Sequence, residues 1–150
     1  EKDGYHTDSA VTVEVPPSSQ LSRQLTRCAE RAFRHALAAA RPGNRTKDIG
    51  RAVEGEVRRC GFQVVRELGG HGIGRTIHEP PSVPNFADPL ARHVLSEGLV
   101  ITIEPIIVAE SGRVAVDCDG WTVRTADHSL AAHYEHTLVI TRSEPVLLTI

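Results

Sequence analysis

Two histidines, His71 and His78, lie in a glycine-rich segment, Gly70-His71-Gly72-Ile73-Gly74-Arg75-Thr76-Ile77-His78-Glu79-Pro80, which a proline pair (Pro80, Pro81) then closes. Glycines at 69, 70, 72 and 74 remove Cβ atoms around His71. They let the backbone approach a ligand closely and turn through positive φ. Imidazole is the commonest metal ligand and the side chain that titrates nearest neutral pH. Alone, the segment reads equally well as an ordinary loop. Three carboxylates change that balance. Asp8 lies where the first strand leaves its turn, Glu104 ends the apolar run 99–103, and Glu135 sits in Tyr134-Glu135-His136-Thr137 directly before another apolar run. A charge abutting a buried strand is costly unless it is paired or metal-bound. A single such glutamate is more often a strand-end surface residue. Three of them with a glycine-framed histidine point to a metal centre.

The set Asp8, His71, Glu104 and Glu135 is rich in oxygen, with one imidazole. Such a set suits Mn²⁺, Fe²⁺, Co²⁺ or Zn²⁺, and its carboxylates can bridge two ions. A structural zinc site would use cysteine. The H-E-x-x-H pattern is absent, because Glu79 follows His78 directly.

The elements that must position these residues are legible from periodicity. Asp3-Gly4 marks a turn, residues 12–15 alternate as a strand, and Pro16-Pro17 ends it. Ser18 or Ser19 can cap a helix whose apolar positions, from Leu21 to Ala40, recur at steps of three and four until Pro42-Gly43. A second helix is expected from near Thr46, with Ile49, Ala52, Val53 and Val57 inward and Gly61 as its stop. Gly50 and Gly55 weaken it, each by up to ~1 kcal/mol relative to alanine. Residues 62–66 predict a short strand into the glycine-histidine segment, and a proline-bearing loop follows Pro84 to about Pro89. Strands are expected at 99–103, at 113–116 and 121–124 around Asp119-Gly120, at 133–141, and at 145–150. Two helices followed by mostly antiparallel strands give an α+β class, with helices packed on one face of a curved sheet.

Composition narrows the function classes. The 150 residues predict one domain, and a formal net charge of −2 argues against a dedicated nucleic-acid binder. No apolar run is long enough to cross a bilayer. Three cysteines without a C-x-x-C pair favour free thiols in a reducing compartment, hence a cytoplasmic protein. Between Arg23 and Arg59 there are ten basic and four acidic residues. The ordinary reading of such a run is a solvated helix face. The sharper one is a docking surface for an anionic partner such as ribosomal RNA. The start, Glu1-Lys2-Asp3-Gly4, reads like the middle of a hairpin, so the chain is expected to be a piece of something longer.

The sequence resembles the type I methionine aminopeptidases of the pita-bread metallopeptidase superfamily. The blocks that carry the resemblance are Lys2-Asp3-Gly4-Tyr5-His6-Thr7-Asp8, the segment 70–80, Ile101-Thr102-Ile103-Glu104-Pro105, and Asp119-Gly120-Trp121-Thr122-Val123-Arg124-Thr125 through Tyr134-Glu135-His136-Thr137. They are collinear and cover almost the whole chain. The glycine-histidine block is shared with prolidase-like relatives. The block from Asp119 to Thr137 is more particular to methionine aminopeptidases.

The resemblance implies a pita-bread fold, a curved antiparallel sheet with helices on its outer face, lacking its N-terminal part. It implies Asp8, His71, Glu104 and Glu135 as metal ligands, with Asp8 and Glu135 bridging up to two divalent ions (Co, Mn, Fe or Zn). It makes His78 the contact to the scissile amide and Glu104 the proton carrier, and it places Trp121 and Ile77 around the methionine pocket. Peptide or nascent-chain N-termini beginning with Met are the implied partners; a monomer is expected, and the ribosome contact is the one read above from the basic helices. The family often has an aromatic residue where this chain has Ile77, a glycine at Thr7 and a threonine at Ser9. One more aspartate ligand and a substrate-contacting histidine of the family would fall before Glu1. On that pattern the ion held by Asp8, His71, Glu104 and Glu135 keeps its set, while the second ion keeps only its bridging partners. The alternatives are a prolidase-like X-Pro peptidase and a non-catalytic pita-bread module that binds RNA or protein.

Overall fold

In the computed structural model, which describes residues 1–149, one long strand organises the rest. Twelve elements are found. In chain order they are β1 (Ser9–Val11), α1 (Gln20–Ala39), α2 (Thr46–Arg59), β2 (Gln63–Val64), β3 (Gly69–Gly72), β4 (Glu79–Pro84), β5 (Val100–Ile103), β6 (Ile106–Val108), β7 (Val114–Val116), β8 (Val123–Thr125), β9 (Ala131–Val139) and β10 (Val146–Leu147). Every ladder is antiparallel. The main sheet runs β2-β6-β9-β5-β3-β4, and β1 and β10 also pair with β9. On one edge of β9, Ile106–Val108 opposes 131–133 and Val100–Ile103 opposes 136–139. The break between these two partners is Glu104-Pro105, where proline has no N–H to give a ladder. β7 and β8 form a separate two-stranded ribbon.

The two helices cover one face of this sheet. Ser19 caps α1, its side chain accepting from the Ser22 N–H at 3.0 Å. Leu25, Cys28, Ala29, Ala32, Phe33 and Ala36 form the buried stripe of α1. In α2, Asp48 accepts from the Arg45 N–H at 2.8 Å, and Gly61 at φ +80° ends the run. Ile49, Val53 and Val57 join the α1 stripe and Ile101, Ile103, Ile107, Leu138 and Ile140 of the sheet side in one core. Gly50 is there because of a close approach: a Cβ would lie 2.1 Å from the Phe86 carbonyl oxygen. Strand alternation then sorts β9. Tyr134 and His136 meet Phe33 edge-on and Leu138 lies in the core, so Glu135 and Thr137 face the other side.

Several expected boundaries shift. The first strand is Ser9–Val11 rather than 12–15, and Val13 and Val15 are exposed. Thr12 explains the early end: its hydroxyl accepts from the His133 N–H and donates to the His133 carbonyl, replacing ladder bonds. The proline pair belongs to a strand, β4, which is the outer strand of its sheet and so tolerates missing donors. The last strand is Val146–Leu147, and Ile150 lies outside the described residues.

Many of the basic residues between 23 and 59 are matched within the helices. Arg31 and Arg59 pair with Glu56, Arg34 with Glu30, Arg51 with Asp48, and Arg58 with Glu54. All three cysteines are free. No described helix is long and apolar enough to cross a membrane.

Candidate metal centre

Four elements deliver the expected ligands to the sheet face opposite the helices. Asp8 precedes β1. Its N–H donates to the Thr137 hydroxyl and its carbonyl accepts from the same hydroxyl, both at 2.8 Å. The turn before it is anchored by the His6 N–H donating to the Gly74 carbonyl at 2.8 Å and by Arg75 stacked 3.7 Å over the Tyr5 ring. Thr137 is fully buried, so Asp8 is held from beneath by β9.

His71 sits in β3 and is buried. Its N–H donates to the Thr102 hydroxyl at 3.0 Å, and its ring Nδ1 lies 2.9 Å from the Gly72 carbonyl oxygen. That contact makes Nδ1 the protonated nitrogen and leaves Nε2 with a free lone pair, as a metal-ligating histidine requires. The Nε2 atom is 3.6 Å from Glu104 Oε1. The surrounding glycines serve strand packing rather than positive φ. A Cβ on Gly70 would lie 2.4 Å from the Thr102 carbonyl oxygen and one on Gly72 2.1 Å from that of Pro80. None of Gly69, Gly70, Gly72 and Gly74 has a positive φ, which corrects that part of the expectation.

Glu104 occupies the break between β5 and β6, and its carbonyl accepts from Asn85 Nδ2 at 2.9 Å. Glu135 is 3% exposed, and its Oε1 has no hydrogen-bond partner. Burial pushes its carboxyl up to about 8, and the charges of Glu104 and Asp8 add to the rise. A buried carboxylate cluster of this kind needs a cation, and the orphaned oxygen is positioned for one. Ligand atoms of Asp8, His71 and Glu135 lie within 4.8 Å of one another, and so do those of Glu104, His133 and Glu135. The donor set therefore fits a divalent ion.

His133 was not among the expected residues. Its Nε2 lies 3.5 Å from Glu104 Oε2 and 3.6 Å from Glu135 Oε2. The available signal was its spacing: His133 and Glu135 are two apart on one strand and so share a face.

The remaining expected residues stand around this cluster or away from it. His78 is exposed and meets the His71 ring edge-on, with centroids 4.3 Å apart. Its loop is tied down by Glu79, whose carboxylate accepts from the Thr76 N–H at 2.8 Å. Ile77 beside it is 39% exposed. Trp121 is 87% exposed at the turn between β7 and β8, where its N–H donates to Asp119 Oδ1 at 2.9 Å, and it is not part of the buried cluster.

The model of metallopeptidase family M24 matches residues 1–142. The chain belongs to that family. It is 40% identical over 147 residues to methionine aminopeptidase 2 of Bacillus subtilis, an alignment that covers 97% of the chain and 59% of the relative. It superposes on the crystal structure of methionine aminopeptidase from Thermotoga maritima with a TM-score of 0.94 at 37% identity, covering 98% of the chain and 59% of that structure. Prolidase from Pyrococcus furiosus is similar at a TM-score of 0.78 and 26% identity, covering 99% of the chain and 38% of that structure. The M24 chain thus has the curled antiparallel pita-bread sheet with two helices that its motifs imply, and it spans about 59% of the length of these aminopeptidases.

Proposed function

We propose that the chain carries the metal centre of a methionyl metallo-aminopeptidase, which removes the N-terminal methionine from nascent proteins and peptides. The observation that carries the reading is the convergence of Asp8, His71, Glu104 and Glu135 on one side of β9, with a buried carboxylate oxygen left unpartnered. Similarity at 40% identity to a methionine aminopeptidase, against 26% to a prolidase, supports methionine over an X-Pro substrate.

In this reading Asp8, His71, Glu104 and Glu135 hold one or two divalent ions from the group Co, Mn, Fe and Zn. Such an ion supplies Lewis acidity and brings the pKa of water towards ~7. The chain's own residues do the rest. Glu104, partly buried beside His71, takes a proton from water and returns it to the leaving amine. His78, at the open side of the cluster, donates a hydrogen bond to the scissile amide as it becomes tetrahedral. Ile77 and Trp121 border the methionine side chain. The substrate's free amine is read by the carboxylates, which accounts for action at the N-terminus alone. An apolar pocket separates side chains by only ~1–3 kcal/mol per methylene, so the residue after methionine contributes to selectivity.

The protein acts as a cytoplasmic monomer on nascent chains. Ribosome contact through the basic helices would draw on the cations outside the ion pairs, such as Arg27 and Lys47. Charge reversal of Arg23 and Arg27 should weaken ribosome association, and added salt should do the same.

Methionine release from Met-Ala-Ser in the presence of Co²⁺ or Mn²⁺ tests the activity. Turnover of Met-Ala-Ser and not of an X-Pro dipeptide supports the reading. The reverse preference assigns a prolidase-like peptidase. Ion binding without turnover of either substrate, by a version extended upstream of Glu1 as well as by this chain, moves the non-catalytic module ahead.

A further inference from the structure

The structure assigns His133 to the metal centre, as the imidazole ligand of a second ion held with Glu104 and Glu135. This rests on the proposal that the carboxylate cluster binds divalent ions. This position lies beside Glu104 and is distinct from the pair bridged by Asp8 and Glu135 that the resemblance implies.

Three observations carry the assignment. The first is placement. The His133 backbone is held at both its polar groups by Thr12, whose hydroxyl accepts from its N–H at 2.8 Å and donates to its carbonyl at 3.0 Å. Its side chain therefore has a fixed origin on the face that carries Glu135.

The second is the state of the ring. Nε2 is buried and has no hydrogen-bond partner. Two carboxylate oxygens nevertheless stand near it, at 3.5 Å for Glu104 Oε2 and 3.6 Å for Glu135 Oε2. These distances are too long for a charge-assisted hydrogen bond, which closes to about 2.7–2.9 Å. They match the spacing of two ligand atoms on one ion: bonds of about 2.0–2.2 Å at tetrahedral angles set neighbouring ligands ~3.4 Å apart. A histidine that only oriented a carboxylate would sit closer.

The third is the arrangement of Glu104. Its Oε1 is 3.6 Å from His71 Nε2, and its Oε2 is 3.5 Å from His133 Nε2. The carboxylate stands between two imidazoles and shows each a different oxygen at the same spacing. Glu135 belongs to both ligand groups, the one with Asp8 and His71 and the one with Glu104 and His133. That is the layout of two ion positions, each with one imidazole, joined by Glu135. Charge agrees, since three carboxylates exceed the charge of one divalent ion.

The test uses the 150-residue chain freed of metal with a chelator. Calorimetric titration with Zn²⁺ should show two equivalents. His133→Gln should keep the first and weaken the second by at least about 10-fold. Loss of an outer partner alone can weaken binding by a similar factor, so a direct readout decides between ligand and neighbour. Protein with nitrogen-labelled histidine, loaded with two equivalents of Cd²⁺, should show cadmium–nitrogen coupling at Nε2 of both His71 and His133. That measurement is made on the unaltered chain and does not depend on how the variant folds. Coupling at His71 alone, or an unchanged second equivalent in His133→Gln, overturns the assignment and leaves the metal centre standing. No binding of either ion by the unaltered chain overturns both.

Discussion

The His78 ring stands edge-on to the His71 ring, with centroids 4.3 Å apart and planes at 64°. One ring is buried with its Nδ1 committed to a carbonyl, and the other is exposed above it. Only the buried one is placed to hold an ion, so the two histidines should fail differently. His78→Ala should lower kcat for Met-Ala-Ser by roughly 10²–10³, the usual cost of one lost contact to a developing charge. Its Zn²⁺ stoichiometry should be unchanged. His71→Ala should lose the ion itself. Calorimetry and steady-state kinetics on both variants check this, and equal metal loss in the two would contradict it.

Glu104 shows one oxygen to each of two imidazoles, and its loss should remove more than a ligand. Glu104→Ala should abolish methionine release. A near-normal kcat/KM in that variant would remove Glu104 from the chemistry.

The metal-free chain should respond to pH through Glu135. Its carboxyl is raised from the ordinary 4.5 to about 8, chiefly by burial and then by Glu104 and Asp8. A raised acid binds its proton more tightly in the folded state. The folded chain then holds more protons than the unfolded one between about pH 4.5 and 8, and stability falls as pH rises through that window. Thermal unfolding in chelator should show this decline, and Glu135→Gln should flatten it. Metal loading needs the ionised carboxylate, so binding near neutral pH should release a proton and make the calorimetric heat depend on the buffer.

The helices, and the residues that converge beside β9, were legible because each follows a simple period or stands in or beside a dense motif. The α1 stripe at Leu25, Cys28, Ala29 and Ala32 is a 3.6-residue pattern that any packed helix must show. What escaped was set by cross-strand neighbours. Thr12 ends β1 by bonding to His133, far away in sequence, and nothing local announces it. Glycines around a histidine read locally as turning residues, but the reason for Gly70 is the carbonyl of Thr102 on β5. His133 itself stands in a strand of ordinary composition, although its spacing from Glu135 puts both on one face. A proline pair reads locally as the close of a segment, and only the sheet order shows that an outer strand can carry it.

Helix α2 offers a matched pair of glycines whose replacement should act in opposite directions. Gly55 is exposed with nothing within 4 Å of an added Cβ, so Gly55→Ala should stabilise by up to about 1 kcal/mol through helix propensity alone. Gly50→Ala gains the same propensity but drives a methyl to 2.1 Å from the Phe86 carbonyl oxygen and 2.6 Å from that of Pro84. Both obstacles are backbone and cannot rotate aside. Pro84 ends β4, the strand paired with the His71 strand, so relief of the clash would shift β4 against β3. The net effect should be destabilisation of roughly 1–3 kcal/mol, the range for over-packed cores, together with weaker Zn²⁺ binding through the displaced His71. Urea unfolding of the two variants, followed by zinc titration, gives the comparison. A Gly50→Ala chain as stable as Gly55→Ala would mean that α2 can move away from the 84–86 segment, and the coupling of α2 to the metal centre through β4 would fall.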